Sequence, residues 1–208
     1  MAKPILVTGF EAFGEHEVNV SESVAKSLDG LEVRGHKIRS LILSVDFEGS
    51  KKVADMLDDE QFAAILHIGL AANSLHPRIE IKARDILDFR IPDNGGRLVK
   101  DTKISGQGDI LSTINHHDWD ILSMIDSPVV SVDAGEFICN ETLYRTLMKI
   151  EGDTPCFFLH LPLTQCDAKG LAMQCLDRML RPPCIDVGAG AIIQNGKFLA
   201  ARRAQSEK

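Results

Sequence analysis

The sequence lacks several features that would assign it to a common class at once. Its five cysteines are an odd number without a Cys-x-x-Cys pair, which argues against both a disulfide framework and a structural zinc site. No apolar stretch approaches the roughly 18 residues of a membrane span. The apolar run near the N-terminus is also shorter than the roughly 7–15 residues of a secretory signal. We therefore expect a protein of the reducing cytoplasm that does not enter the membrane.

Clustered positive charge is missing as well. The formal net charge is −7, and the only basic cluster, Arg202-Arg203, is too short for a nucleic-acid patch. We therefore expect no nucleic-acid partner. With 44% hydrophobic and 25% charged residues, the 208-residue chain has the composition of an ordinary globular protein. That length suits one α/β domain.

Short apolar runs alternate with helical patterns along the chain. The patterns predict strands over residues 5–8, 37–44, 63–69, 78–86, 129–132 and 156–161. They predict helices over residues 21–28, 47–57, 111–125, 139–150 and 168–180. This order indicates a three-layer α/β/α fold with a mostly parallel central sheet. Gly69, Gly135 and Pro162 follow three of the strands, and ligands bind such sheets beyond the carboxyl ends of the strands.

Two segments depart from this alternation. Residues 88–109 are polar and glycine-rich, which indicates a long loop, and loops of that length are commonly functional. Near the C-terminus, Asn195-Gly196 predicts a two-residue β-hairpin. We therefore assign residues 1–183 to a single α/β domain and residues 184–208 to a C-terminal tail. The tail pairs with a sheet edge or a neighbouring chain, or it is a remnant of a Nudix domain, whose opening strands it resembles without the glutamate-rich box.

Cys139 has the sequence context of a reactive cysteine. A buried strand leads into a turn at Gly135, and Cys139 then opens a helix. The unsatisfied N–H groups at a helix N-terminus favour a thiolate and are suited to binding an oxyanion. A buried, inert thiol is the alternative, and we assign it to the other four cysteines.

Two further residues suit a nucleophilic site. His160 is predicted at the carboxyl end of a strand, next to the strand that leads to Cys139, where it would act as a base. Glu80 shares the polar face of its strand with Lys82 and would orient the imidazole. An exposed strand glutamate without a role is the alternative. His67, in a wholly apolar run, is predicted to be a core histidine. No histidine pair has metal-ligand spacing, so we expect no metal.

Six segments carry motifs in a fixed order: residues 7–14 (VTGFEAFG), 67–71 (HIGLA), 79–80 (IE), 89–94 (FRIPDN), 131–140 (SVDAGEFICN) and 158–162 (FLHLP). In this order they resemble the pyroglutamyl peptidase I, or pyrrolidone-carboxylate peptidase, family of cysteine peptidases. The resemblance runs from about residue 5 to residue 180. It implies a phosphorylase/hydrolase-like fold and removal of N-terminal pyroglutamate from peptides through a thioester. It also implies no metal, no cofactor, and often a homo-oligomer such as a dimer or tetramer.

The resemblance also implies roles for individual residues. Cys139 would be the nucleophile, His160 the general base and acid, and Glu80 the group that orients His160. Arg90 would lie near the oxyanion. The expected substrate-binding residues are Phe10 and Phe13, which would sandwich the lactam ring, together with Asn19, Leu70, Phe137 and Ile138.

Several positions depart from the family pattern. Leu70 stands where the family usually has glutamine, and Ala72-Asn73 and residues 95–109 also differ. Asp133 places a negative charge six residues before Cys139, and a nearby anion would raise the pKa of the thiol. Two alternatives therefore stay open: a related cysteine hydrolase with altered specificity, and a catalytically weak homologue that binds peptide termini.

Overall fold

The structure is a computed structural model that describes residues 2–14, 19–163, 166–182, 192–194 and 197–199. Its strands are β1 (Ile5–Phe10), β2 (Glu32–Val33), β3 (His36–Leu43), β4 (Ala64–Leu70), β5 (Arg78–Glu80), β6 (Lys82–Ala83), β7 (Ile110–Leu111), β8 (Val129–Ser131), β9 (Cys156–Leu161), β10 (Ile192–Gln194) and β11 (Lys197–Leu199). Its α-helices are α1 (Val20–Leu28), α2 (Phe47–Met56), α3 (Ile138–Lys149) and α4 (Ala168–Met179). Most of these elements fall within one or two residues of the predicted ones.

The central sheet has seven strands in the order β2-β3-β1-β4-β9-β5-β8. Strands β3, β1, β4 and β9 are parallel to one another, so the predicted mostly parallel sheet is confirmed. Strand β5, however, is antiparallel to β9 and parallel to β8. The prediction that the strand leading to Cys139 lies next to the His160 strand is therefore wrong, because β5 lies between them. Since β8 runs opposite to β9, the chain turns back before α3, at Gly135 with a φ of 86°.

Helices cover both faces of the sheet, which confirms the three-layer arrangement. Alternate residues of a strand point to opposite faces. Val7 and Leu66 accordingly belong to the core cluster that contains residues of α1 and α4. Leu6 and Ile65 belong to the cluster that contains residues of α2 and α3. The fully buried strands β1, β4 and β9 thus form the middle of the fold and position the site.

The predicted helix over residues 111–125 is wrong. This stretch contains β7 and two short 3₁₀ turns, His116–Asp118 and Ile121–Ser123. The Thr113 hydroxyl donates to Thr154 O over 2.7 Å and accepts from the Cys156 N–H over 2.8 Å, which ties the segment to the start of β9. Asp120 adopts a left-handed φ of 45°, which an α-helix does not allow.

The predicted strand over residues 78–86 divides into two because its halves pair differently. Strand β5 pairs with β8 and β9, whereas β6 pairs with β7 in a separate two-stranded sheet. Near the C-terminus, β10 and β11 are antiparallel, with Gln194 opposite Lys197. The remainder of the tail lies outside the described residues, and its assignment as a separate unit stays a prediction. Among the described residues, no helix has the length and apolar character needed to cross a membrane.

Candidate active site

A histidine–carboxylate pair lies buried between β9 and β5. The His160 Nδ1–H group donates to Glu80 Oε1 over 2.8 Å. Glu80 is completely buried and His160 is 6% exposed. The alternative of an exposed strand glutamate is therefore wrong. A bond from Nδ1 to a carboxylate leaves Nε2 as the ring nitrogen available to a reacting group.

The Cys139 sulfur lies beside the same part of the sheet. Cys139 is the second residue of α3 and is half-buried. A methyl group at position 69 would lie 3.1 Å from Cys139 Sγ and 2.6 Å from the Phe158 ring. The register partner of Gly69 on β9 is His160. Gly69 thus leaves the room in which the sulfur approaches the strand pair that carries His160.

The N-terminus of α3 differs from the starts of the other described α-helices. Asn19, Asp46 and Asp167 cap α1, α2 and α4 with side-chain oxygens. Phe137 precedes α3 and provides no side-chain cap. No side chain of the N-cap residue therefore competes for the first-turn N–H groups of α3 beside Cys139, and such groups are suited to binding an anion.

The pKa of Cys139 moves in the opposite direction from the one expected for a helix start. Burial and the negative charge of Glu80 raise it to about 12. Asp133 is not among the causes of this shift, and its carboxylate accepts from the Gly135 N–H over 3.0 Å and from Arg84 over 3.4 Å. A raised pKa favours the thiol at neutral pH, so a nucleophilic role for Cys139 would require a base that accepts its proton.

One aromatic group lies beneath the histidine. The Phe158 ring is 4.5 Å from the His160 ring and 6.1 Å from the ring of Phe10, on which it stacks. Phe10 is 2% exposed at the end of β1. Its N–H group donates to the Ser21 hydroxyl over 3.0 Å. Phe10 and His160 thus both contact the buried ring of Phe158.

A second aromatic group includes Phe13 and Phe137, both half-buried. Their ring centres are 6.1 Å apart, and the Phe137 ring meets Phe89 edge to face at 4.6 Å. Arg97 lies over Phe89 at 5.0 Å and pairs with the buried carboxylate of Glu141 on α3. The segment after Phe89 is thereby fastened to the helix that carries Cys139.

The other predicted substrate-binding residues are placed differently. Asn19 is 1% exposed; its amide donates to Glu11 O over 3.1 Å, and its oxygen accepts from the Ser21 hydroxyl over 2.8 Å. It therefore fixes the chain that follows Phe10. Leu70 is nearly buried at the end of β4, and the Ile138 side chain lies wholly in the core.

Arg90 is exposed on the loop that follows Phe89. An open cleft of about 540 Å³ begins where β4 ends, and residues 71–76, Arg78 and Val129 line it. Among the described residues, no group of three or more histidine, cysteine, aspartate or glutamate side chains is arranged to hold a metal ion.

Two more residues contact the site from within the sheet. Arg78, which the sequence reasoning missed, places Nη2 2.9 Å from Glu80 Oε1. Its position two residues before Glu80 is the signal, because residues i and i+2 of a strand share a face. His67 hydrogen-bonds to Thr8 and Thr146 over 2.8 and 3.1 Å and is fully buried, which confirms the predicted core histidine.

A thiol at a helix start, close to a buried histidine that a carboxylate orients, is the arrangement of cysteine peptidases. Fold and site together define this class. The sequence model of the pyroglutamyl peptidase family matches residues 3–171, and the chain belongs to that family.

Named relatives and solved structures agree with this assignment. The pyrrolidone-carboxylate peptidase of Streptococcus suis (strain 05ZYH33) is 32% identical over 91% of this chain and 92% of its own. That of Pyrococcus furiosus is 31% identical over 69% of this chain and 71% of its own. The crystal structure of pyrrolidone carboxyl peptidase from Thermus thermophilus has a TM-score of 0.68 and 33% identity, and the match covers 76% of this chain and 84% of that chain.

Proposed function

We propose that this protein removes N-terminal pyroglutamate from peptides, with Cys139 as nucleophile, His160 as general base and acid, and Glu80 as the orienting carboxylate. One observation carries the proposal. The buried His160–Glu80 hydrogen bond of 2.8 Å joins β9 to β5, and Gly69, the register partner of His160 on β4, leaves room for the Cys139 sulfur. Membership of the pyroglutamyl peptidase family supplies the substrate class.

The geometry supports a reaction in two stages. His160 Nε2 takes the proton of Cys139 as the sulfur attacks the carbonyl carbon of the pyroglutamyl residue. The imidazolium then gives that proton to the leaving amine, and a thioester remains. A water molecule, deprotonated by His160, hydrolyses the thioester and releases pyroglutamate and the thiol. Because burial and the charge of Glu80 raise the pKa of Cys139, we propose that proton transfer accompanies the attack and does not precede it.

The negative charge that develops on the carbonyl oxygen during attack must be stabilised by hydrogen-bond donors. The uncapped first turn of α3 offers backbone N–H groups next to Cys139. We assign Arg90, which is exposed on the neighbouring loop, to the same side of the substrate.

The proposed pocket for the lactam ring is apolar. A pyroglutamyl group has no free amine, so its pocket needs flat apolar walls and no carboxylate. We assign these walls to Phe10 and Phe13, as the family resemblance implies, and the Phe137 ring, 6.1 Å from that of Phe13, extends the second wall. Leu70, the last residue of β4, closes one end of this pocket. Asn19 and Ile138 act indirectly, since one fixes the chain after Phe10 and the other packs beneath α3.

The rest of the peptide would leave the site across the open cleft lined by residues 71–76. We place the enzyme in the reducing cytoplasm, where its described cysteines stay free thiols. Assembly into a dimer or tetramer stays a prediction from the family resemblance.

Release of coumarin from a pyroglutamyl-coumarin amide tests the function. We expect hydrolysis by the unmodified protein and by Cys166→Ala, which removes another partly exposed thiol, and none by Cys139→Ala. Activity that survives in folded Cys139→Ala would refute the assignment of the nucleophile.

Leu70 favours a second candidate, a cysteine hydrolase with altered specificity, because an apolar side chain stands where the family motif has a polar one. A panel of coumarin amides with other N-terminal residues and lactams tests this candidate. Preferred cleavage of another amide, shifted toward pyroglutamate by Leu70→Gln, would support it. Binding of a pyroglutamyl peptide in calorimetry without turnover of any amide would indicate the weak, peptide-binding homologue.

A further inference from the structure

The two oxygens of the buried Glu80 carboxylate differ in their hydrogen-bond partners. Oε1 accepts from His160 Nδ1 over 2.8 Å and pairs with Arg78 Nη2 at 2.9 Å. Oε2 is also buried and has no hydrogen-bond partner among the described residues. Burying a carboxylate is costly unless it is paired. When His160 is neutral, Arg78 is therefore the described cation that balances the charge of Glu80.

The same guanidinium reaches the segment that leads to the nucleophile. Arg78 Nη2 donates to Ser131 Oγ over 3.1 Å and to the Asp133 carbonyl oxygen. Both acceptors lie between the end of β8 and the start of α3. On the other side, Arg78 is the register partner of His160 on β9. One side chain thus contacts both the orienting carboxylate and the turn that precedes Cys139.

We propose that Arg78 is a positioning residue of the reaction: it holds the Glu80 carboxylate against His160 and sets the charge that the Cys139–His160 pair experiences. The proposal rests on the function proposed above. Within the described part of the chain, the titratable or charged groups that face Glu80 are His160 from β9, Cys139 from α3 and Arg78 from its own strand. Asp133 turns its carbonyl toward Arg78 and its carboxylate toward Arg84.

The sign of the electrostatic effect follows from charge alone. Removal of a nearby positive charge raises the pKa of every group that faces it, acid or base. The Arg78 side chain is 30% exposed, so water and salt screen part of the effect. We expect a shift of roughly half to one pH unit, which is a change of roughly three- to tenfold in the thiolate fraction below the pKa.

Three variants test the proposal. Arg78→Gln removes the charge, and Arg78→Lys keeps it with a shorter reach. Arg84→Gln is the matched control, because Arg84 bonds to Asp133 in the same turn and to Glu136 but is not among the described contacts of Glu80. One readout is the rate of iodoacetamide alkylation of Cys139 at pH 9, followed by peptide mass spectrometry. The other is the pH profile of coumarin release.

We expect roughly three- to tenfold slower alkylation in Arg78→Gln, and rates near that of the unmodified protein in Arg78→Lys and Arg84→Gln. The acidic limb of the activity profile should move to higher pH only in Arg78→Gln. Equal behaviour of Arg78→Gln and Arg84→Gln would overturn the proposal, as would a loss of activity at every pH without a shift. If Arg78→Gln does not fold, Arg78→Lys decides: the proposal requires kcat to fall at least threefold with KM unchanged, and an unchanged kcat refutes it.

The two proposals fail separately. If the unmodified protein does not hydrolyse the pyroglutamyl amide, the proposed function fails. The alkylation rates still report whether Arg78 sets the charge at Cys139.

Discussion

Lowering the pH from 7.5 to 5 should destabilise the folded protein by about 2 kcal/mol through His67 alone. Burial lowers the pKa of His67 from an ordinary value of 6.5 to about 3, and its two ring nitrogens are occupied by Thr8 and Thr146. The folded state therefore keeps His67 neutral at pH 5, whereas the unfolded chain protonates it.

The sign and size follow from proton linkage. Between the folded and unfolded pKa values the unfolded state binds one more proton, so stability falls as the pH drops below about 6.5. Each pH unit in this window costs about 1.4 kcal/mol, and pH 5 lies about 1.5 units into it. A loss of about 2 kcal/mol is a substantial part of the roughly 5–15 kcal/mol that stabilises a typical domain.

Urea unfolding at pH 7.5 and pH 5 measures this loss by linear extrapolation. His67→Gln keeps a hydrogen-bonding side chain but cannot titrate, and His117→Gln removes an exposed histidine as the control. The unmodified protein and His117→Gln should lose about 2 kcal/mol more than His67→Gln between the two pH values. Carboxylates that weaken the fold in acid, such as Asp85, cancel in this comparison because all three proteins contain them. An equal loss in His67→Gln would show that His67 does not remain neutral in the fold.

Three further substitutions probe the site and its support. Glu80→Gln should lower kcat roughly 10³–10⁴-fold in coumarin release with little change in KM, because a neutral amide no longer stabilises the imidazolium; a drop of less than tenfold would contradict the orienting role. Gly69→Ala should lower the unfolding free energy in urea by about 1–3 kcal/mol, because its methyl group overlaps the Phe158 ring, and an unchanged midpoint would show that the site has spare room. Arg97→Met should cost about 3 kcal/mol in the same assay because it leaves the buried Glu141 carboxylate with one cation fewer, and a neutral effect would mean that this pair is not needed for stability.

The predictable part of the fold is the part that local patterns determine. Strands β1, β4 and β9 are short runs of wholly buried residues, and such strands can be recognised in the sequence as short apolar runs. The helices begin at recognisable caps such as Asp46 and Asp167. The order of the strands in the sheet, by contrast, has no such local signal in the sequence. Nothing near Glu80 in the sequence shows that β5 lies between β9 and β8 and runs opposite to β9.

The conformation of residues 111–125, which precede β8, could not be predicted from local sequence patterns either. Its hydrophobic spacing suits a helix, but its conformation is decided by contacts with residues far away in sequence. Thr113 bonds to Thr154 and Cys156, and Trp119 inserts its ring against Phe157 at 5.5 Å. Tertiary contacts of this kind override a local pattern.

The residues of the candidate site could be proposed from the sequence, but the electrostatics of Cys139 could not. The motif order singled out Cys139, His160 and Glu80, while the local environment of Cys139 indicated a lowered pKa. The structure reverses that direction, because a single first turn of helix competes with the burial of the sulfur and with the charge of Glu80. The expected anion, Asp133, is engaged by Arg84 and Gly135 instead.

The charge of Glu80 therefore has two opposite effects on the same reaction. It raises the pKa of the Cys139 thiol, which disfavours a resting thiolate, and in the proposed mechanism it stabilises the imidazolium that forms when His160 accepts the proton. Because the second effect operates only during attack, the arrangement favours the transition state over a reactive resting enzyme. Glu80→Gln should then speed iodoacetamide alkylation of Cys139 while it slows peptide hydrolysis. A substitution that slowed both would mean that Cys139 rests as a thiolate that depends on His160, and that proton transfer precedes the attack.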